Sequence, residues 1–528
     1  MFITSYSNYM KYGYPLDELK PISCSGMSTW GNYSLTLIDS LDTLYVMNMH
    51  DEFKYSIELI LKNFNNFNFP THVSVFESNI RILGGLLSAH LLALKHDWYL
   101  NQYYLNTNHL FYQFNHNNNN NNNLNQSNSN QSNTNNSNQS NQSNQSNSST
   151  NSNINSNTNS NINSNSKQQQ QHNLLTLCID IANRLLPAFN TPTGIPYGMI
   201  HFIDGVLKNE SNITSTAGGG TFILEFGLLS YLTGDLKYYE IAKKATLSIF
   251  KYRDLKTNLI GNHINIMNGE WIHRESGIGA SIDSYFEYLY KGFILFKDEE
   301  LLNLFKIHYQ SILKYVYKNP WYSDVDMKFP KITFGLYNSL ASFWPGVQAL
   351  YGNYEIAKKS IIAIHGIWRK YGSIPEGFNI LISKAQKGQL PYPLRPELIE
   401  SIYHLFKFDG SRDSNYLYMA RDFYTSLEIN TKTKCGYAVI DNVETLKLND
   451  RMESFFLSET LKYLYLIFDF NNFVHYNNQT NSEELLFTFN TEAHLIPLNL
   501  NAYLKKYDPY FNENRFLNDF SKKSTIFK

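Results

Sequence analysis

Acidic side chains recur inside the most apolar stretches of this chain, where an unpaired carboxylate is very costly to bury. Glu77 and Arg81 lie in VFESNIRILGGLLSAHLL, Glu225 in GTFILEFGLLS, Asp283 and Glu287 in GIGASIDSYFEYL, Glu397 and Glu400 in LRPELIES, and Glu459 in MESFFLSETLKYL. Most sit toward the start of their stretch. If those starts meet, carboxylates distant in sequence converge on one pocket. Such a pocket suits glycoside hydrolysis, in which one protonated acid serves the leaving oxygen and one carboxylate activates water. Plainer readings exist for each. Glu77 and Arg81 have the i,i+4 spacing of an ordinary helical ion pair. Glu397 follows Pro396 at a first helical position, where the helix dipole favours an acid and keeps it ionised, as a general base requires. Asp283 reads equally well as an N-cap for SYFEYLYKGF. His90 and His494 have no second His at ligand spacing and read as core or hydrogen-bonded residues. Phe455 is one of a few rings that could stack on a sugar. Joint placement, not any single motif, points to chemistry.

The elements that must position these residues are helices. Apolar residues recur at i, i+3, i+4 and i+7 in many windows. Short turns such as Thr233-Gly234-Asp235, Lys297-Asp298, Gly352-Asn353 and Asp409-Gly410-Ser411 recur at intervals of roughly 55 to 63 residues, the mark of stacked helical hairpins. Apolar helices start near Tyr33, Val73, Gly218, Ala280, Leu336, Pro396 and Met452. More amphipathic ones start near Asp51, Leu174, Leu236, Glu299, Tyr354 and Ser414, and Phe2 to Gly13 supplies a seventh. Seven inner and seven outer helices predict an all-α chain folded as an (α/α)7 barrel. In it the first helix completes the outer ring beside the last inner helix. The segment LLFTFNTEAHLIPL reads as a strand and turn, a short C-terminal hairpin plugging one end.

Composition narrows the rest. The 528 residues carry 44 basic and 45 acidic side chains, a net charge of -1, with no basic stripe to expect nucleic-acid binding from. Residues 115–172 are almost wholly Asn, Ser and Gln, cannot bury enough apolar area to offset ordering, and read as a disordered surface insertion. The domain reading is therefore a barrel over residues 1–500, interrupted by that insertion, and a tail over 501–528. Ile82 to Leu94, the longest near-apolar run, is too short for a membrane span. The opening MFITSYSNYMKYGYP shows no charged start before an apolar run, so no signal peptide is read there and residue physics alone suggests a cytosolic protein. Three cysteines, Cys24, Cys178 and Cys435, are too few for a disulfide scaffold. There is no GxSxG, HExxH, P-loop or dinucleotide fingerprint.

The strings SLTLIDSLDTLYV, VFESNIRILGGLLSAHLL, RLLPAFNTPTGIPYG, GTFILEFGLLSYLTGD, GIGASIDSYFEYLYKG, YPLRPELIES, DRMESFFLSETLKYLYLIFD and FNTEAHLIP occur in order. Together they resemble glycoside hydrolase family 47, the class I α-1,2-mannosidases, and within it the ER degradation-enhancing α-mannosidase-like group, nearest its second subtype. The resemblance implies an (α/α)7 barrel and an inverting, Ca²⁺-dependent mannosidase of the endoplasmic reticulum lumen. It implies Glu77 as general acid, Glu397 as general base and Asp283 as the third catalytic carboxylate. Arg81, Glu225, Arg395, Glu400, Phe455, Glu459 and Glu492 would line the sugar pocket or orient waters on the ion, which Thr491 would bind through its hydroxyl and carbonyl oxygens. In an inverting pair the acid and base stand about 6.5–9.5 Å apart to admit a water. In the closed barrel that the family implies, the helices beside Cys24 and Cys435 are neighbours, giving a Cys24–Cys435 disulfide and a free Cys178.

Two positions depart from trimming members of the family: Ser339 stands where they carry His, and Ser281 where the enzyme removing a single mannose carries Arg. Both differences fit the degradation-enhancing group and bear on rate and branch preference. The implied substrates are high-mannose N-glycans on misfolded glycoproteins bound for ER-associated degradation, with a thioredoxin-like oxidoreductase as a candidate partner. A lectin-like receptor that binds without cutting is the alternative function. A helical scaffold with its inner carboxylates paired and sealed is the third.

Overall fold

The computed structural model describes residues 1–101, 173–333, 335–410, 415–475, 487–509 and 511. The insertion at 115–172 and most of the tail at 501–528 lie outside the described residues. The chain divides into two units, Met1–His96 with Leu174–Lys528, and Asp97–Asn173. In the second, residues 97–101 are helical. Every predicted site residue belongs to the first.

Seven inner helical segments form a ring among the described residues. They are Leu35–Asp39 with Leu41–Val46, Val75–Glu77 running through Ser78–Leu83 into Gly84–Ala93, Thr216–Gly220 with Ile223–Thr233, Asp283–Phe296, Ser339–Phe343 with Trp344–Tyr351, Glu397–Asp409, and Phe456–Thr460 with Leu461–Phe468. Each packs on the next, and the last meets the first, where Thr43 Oγ1 donates to the Ser458 carbonyl at 3.3 Å. The outer helices are Phe2–Asn8 with Tyr9–Gly13, His50–Asn63, Leu174–Leu185, Lys237–Lys251, Glu299–Ser311 with Ile312–Val316, Tyr354–Tyr371 and Asn415–Asn430. The first of these packs beside the Phe456–Thr460 turn, as the helix count requires.

The two rings differ because their sequences differ. Every residue of Gly84–Ala93 is buried, the all-round apolar character of a helix with no wet face. Lys237–Lys251 instead buries a single stripe through Tyr238, Ala242, Ala245 and Ile249. Side-chain caps begin several inner segments: Ser74 accepts the Glu77 N–H, Ser215 that of Gly218, and Asn338 that of Leu340. Gly234, Gly352 and Gly410 end their helices with φ of 74°, 92° and 64°, a conformation glycine adopts without Cβ penalty.

What periodicity did not foresee is the β-structure at the site end. Two- and three-stranded antiparallel ribbons connect outer helices to inner ones, among them His72–Ser74 with Met199–His201, Ile213–Ser215 with His263–Asn265 and Trp271–His273, and Leu336–Asn338 with Gly377–Asn379 and Lys384–Ala385. At two or three residues each, they are too short to show alternation. The predicted C-terminal hairpin is present as Phe487–Phe489 paired with Leu495–Pro497. The segment beyond it, read as tail from residue 501, begins with a helix, Leu500–Tyr507, whose Ala502 N–H is capped by Asn499. No described helix is long and apolar enough to cross a membrane.

Cys24 and Cys435 form a disulfide with Cα atoms 5.5 Å apart, and Cys178 is free and buried. The bridge ties the two ends of the ring where Leu19 also pairs with Met452 and Asp450 accepts the Ile22 and Ser23 N–H groups. Replacing both cysteines by serine is expected to lower unfolding stability by about 2–5 kcal/mol, read from urea midpoints, with ring closure retained by these backbone bonds.

Candidate active site

The acidic residues do converge. Arg81 is the first hub: its Nε donates to Glu77 Oε2 at 2.7 Å, its NH1 to Glu492 Oε2 at 2.9 Å, and its guanidinium lies 5.5 Å from the Phe455 ring centre. The i,i+4 pair expected between Glu77 and Arg81 is therefore real, but it is one arm of a larger assembly. Arg395 is the second hub. It forks onto Glu376 at 2.7 and 3.2 Å and stands 3.8 Å from Glu397. Ser339 donates to Glu376 Oε2 at 3.4 Å and so touches this hub.

Electrostatic coupling joins the hubs into one site. Burial raises the carboxyls of Asp283 and Glu397 to about 7; Glu287 adds to it at Asp283, while Glu376 and Asp283 add to it at Glu397. Burial also raises Glu400 and Glu459 well above the usual carboxylate range, reinforced by Glu287 and Glu397 at Glu400 and by Glu492 and Glu397 at Glu459. Glu492 rises to about 8 through burial, against the pull of Arg81. One correction follows. The helix dipole was expected to keep Glu397 ionised, but desolvation outweighs it. Asp283 is corrected too: it is the first residue of its helix, the cap position falls on Ile282, and its Oδ1 accepts from the adjoining Ser284, N–H at 2.8 Å and hydroxyl at 3.5 Å.

Exposure to solvent divides the acids into two groups. The Glu77 side chain is 25% exposed and that of Glu397 14%, and Asp283 is half-buried. Glu287 is sealed against Lys291, and Asp42 against Lys462. Glu225, expected in the pocket lining, is sealed as well and accepts from Tyr288, Asn79 and Asn490 at 2.6 to 2.9 Å; burial still raises it to about 7. The scaffold reading thus describes part of the ring and fails at its mouth.

The floor is the turn between the two C-terminal strands. Asn490 donates to the Ile80 carbonyl and to Glu225, both at 2.9 Å, Glu492 pairs with Arg81, and the half-buried Thr491 donates its N–H to Tyr288 Oη at 3.3 Å. A Cβ on Gly84 would stand 2.5 Å from Asn490 Nδ2, so only glycine lets the second inner helix come this close. Beneath, His494 lies 3.2 Å from Asp39 and 3.4 Å from Asp42. Burial opposes its charge, yet the two carboxylates raise its pKa to about 9. His494 is thus a charged anchor between the two carboxylates.

Backbone strain clusters here. Ser281, Leu394 and Ala493 have φ of 72°, 65° and 58°, and each flanks a site residue. Such conformations persist where surroundings over-determine them. The Ser281 carbonyl accepts the Ala217 N–H, that of Leu394 the Thr460 hydroxyl, and that of Ala493 the Lys462 ammonium, at 2.7 to 2.9 Å. Two inner helices also carry π-turns at the site, Ser78–Leu83 around Arg81 and Phe456–Thr460 around Glu459. Such turns often mark functional positions in helices.

These observations lead to comparison with known proteins. Residues 1–498 match glycosyl hydrolase family 47. The chain belongs to that family. It is 43% identical over 498 residues to "Alpha-mannosidase I MNS4" of Arabidopsis thaliana, covering 94% of this chain and 68% of the relative. It is 36% identical over 507 residues to the human "ER degradation-enhancing alpha-mannosidase-like protein 2", covering 94% and 76%. The α-1,2-mannosidase structure from Trichoderma reesei superposes with a TM-score of 0.72 at 23% identity over 94% of this chain and 97% of that one, which supports the (α/α)7 fold. As a family 47 member the protein is a glycoside hydrolase. Sequence reasoning missed Glu376, which sits in a connection without periodicity, and Asp39, Asp42 and Lys462. The last three are charged residues on apolar inner helices, and the criterion that found Glu77 would have found them.

A pH prediction follows from the raised acids. Between about 4 and 8 the folded state holds protons on Asp283, Glu397 and Glu492 that the unfolded chain has released, so these groups lose stability as pH rises. Urea midpoints should therefore be higher at pH 5.5 than at pH 7.5.

Proposed function

We propose that this family 47 protein is an inverting α-1,2-mannosidase of the endoplasmic reticulum lumen that trims high-mannose N-glycans on misfolded glycoproteins and so commits them to degradation. The reading rests chiefly on three partly open carboxylates at the starts of inner helices: Glu77, bound to Arg81, and Asp283 and Glu397, near enough to raise one another's charge cost. Glu397 takes a proton from the attacking water, and Arg395 beside it favours the charged form it needs. Glu77, held by Arg81, delivers a proton to the leaving oxygen. Asp283, whose carboxyl burial raises to about 7, can carry a proton at neutral pH and supply it to the same exchange. Phe455 offers an apolar face to the sugar.

Among the described residues no group of three His, Cys, Asp or Glu is arranged to ligate a metal directly. The residue the family resemblance offers is Thr491, through its hydroxyl and carbonyl oxygens, on the turn that also carries Glu492; burial and neighbouring acids raise Glu400, Glu459 and Glu492, against the pull of Lys291 and Arg81. An all-oxygen set of this kind fits a hard cation that completes its shell with water. Calcium held there would fix two hydroxyls of the terminal mannose and help distort its ring.

Incubation with Man8–9 glycans, with Ca²⁺ and an oxidoreductase partner present, should release mannose; no release would count decisively against the proposal. A second readout needs no turnover. Ca²⁺ should raise the melting temperature by several degrees at pH 7.5 and by less at pH 5.5, where the acids are protonated, and Thr491→Ala should abolish the shift.

A further inference from the structure

A second cavity, of about 600 Å³, opens at the C-terminal end of the Leu174–Leu185 helix. That volume lies within the range of about 300–1,000 Å³ usual for ligand pockets. One wall is Asn183, Pro187 and Asn190; the other is Tyr197, Ile203 and Asp204. Arg184 locks the two together: its Nε and NH2 grip Asp180 on its own helix at 2.9 and 3.2 Å, and its NH1 donates to the Phe202 carbonyl opposite at 2.9 Å. The Tyr197 N–H donates to the Ala188 carbonyl at 3.0 Å. The walls are therefore held before any ligand arrives.

Chemistry narrows the occupant. The one cation is committed to Asp180, Asn68 and a carbonyl, so the cavity is no anion site. The other polar groups are two exposed amides, of which Asn183 also accepts from Tyr238 Oη at 3.0 Å, a phenol, and the Asp204 carboxylate, 65% exposed and 2.9 Å from His201 Nδ1, set beside the apolar faces of Pro187 and Ile203. Amides and a carboxylate bond neighbouring hydroxyls, and flat apolar faces cover C–H surfaces. That combination suits a neutral hexose.

Position narrows it further. Beside the wall carrying Ile203 and Asp204, Met199–His201 pairs with His72–Ser74, the strand that runs directly into Glu77. A general acid stands on the leaving-group side of the cleaved bond, so the uncut remainder of the substrate leaves the mouth on the Glu77 side. We propose that this cavity is a second carbohydrate site, which holds a hexose on another arm of the branched glycan cut at the acidic mouth. The proposal rests on the mannosidase reading for its substrate.

The test uses the full chain and the variants Asn183→Ala/Tyr197→Ala and, for an exposed change that spares packing, Asp204→Ala. Kinetics are compared on a branched Man9 oligosaccharide and on α-1,2-mannobiose, too small to bridge the two sites. KM for the oligosaccharide should rise about fivefold or more with kcat unchanged, and mannobiose kinetics should not move. An unchanged KM, or an equal change on both substrates, overturns the proposal while leaving the mannosidase reading intact. If the parent protein cleaves neither substrate, that reading falls, and calorimetric titration of Glu397→Gln with Man9 still decides. Binding weakened at least fivefold by the same variants supports the second site, and unchanged or undetectable binding overturns it.

Discussion

Glu397→Gln is expected to lower kcat by at least about a hundredfold while leaving the protein folded and able to bind glycan. The amide keeps the shape of the side chain but cannot accept a proton from water. It also removes a carboxylate whose pKa burial has raised to about 7, so folding at pH 7.5 loses an unfavourable charge. The melting temperature should hold or rise as turnover disappears. Loss of turnover with binding kept separates an enzyme from a receptor: a lectin-like protein would act as before. Mannose release at the parent rate would remove Glu397 from the mechanism.

Lys462→Met should have the largest effect on stability. Lys462 Nζ lies 2.8 Å from Asp42 Oδ1, both side chains are wholly buried, and the same ammonium donates to the strained Ala493 carbonyl. Burial alone would raise the Asp42 carboxyl, but Lys462 and His494 reverse this and bring it to about 2. Removing Lys462 leaves the buried Asp42 with His494 as its remaining counter-charge, at a cost of up to about 3–5 kcal/mol. The added Asp42→Asn change should recover part of it, as a double-mutant cycle in urea can measure. Because Ala493 follows Glu492 directly, the loosened turn should also depress kcat. A single variant as stable as the parent would show that the pair does not hold the floor.

The barrel was legible because its signal is long. Fourteen helical stretches separated by regular turns each carry many residues of evidence, and the structure follows them closely. The site was legible by a different rule: acids on apolar helices need a reason. That rule located Glu77, Asp283, Glu397, Glu400 and Glu459, but it could not tell an open carboxylate from a sealed one. Glu225 and Glu287 show why, since their partners Asn490, Asn79, Tyr288 and Lys291 are fixed by packing. The balance between dipole and desolvation at Glu397 depends on depth, which a linear sequence does not carry. Short ribbons such as His72–Ser74 with Met199–His201 leave no periodic trace, and Glu376 was missed for that reason.

The C-terminal turn has a consequence for biosynthesis. Arg81, Glu225, Asp39 and Asp42 belong to the first three of the seven inner segments, yet their partners Asn490, Glu492 and His494 leave the ribosome hundreds of residues later. Until then Asp39 and Asp42 lack the His494 charge, Glu225 lacks the Asn490 amide and Arg81 lacks one of its carboxylates, and the floor of the ring is missing. Nascent chains halted before the last strand should therefore remain protease-sensitive and catalytically silent, and competence should arrive in one late step rather than growing with length.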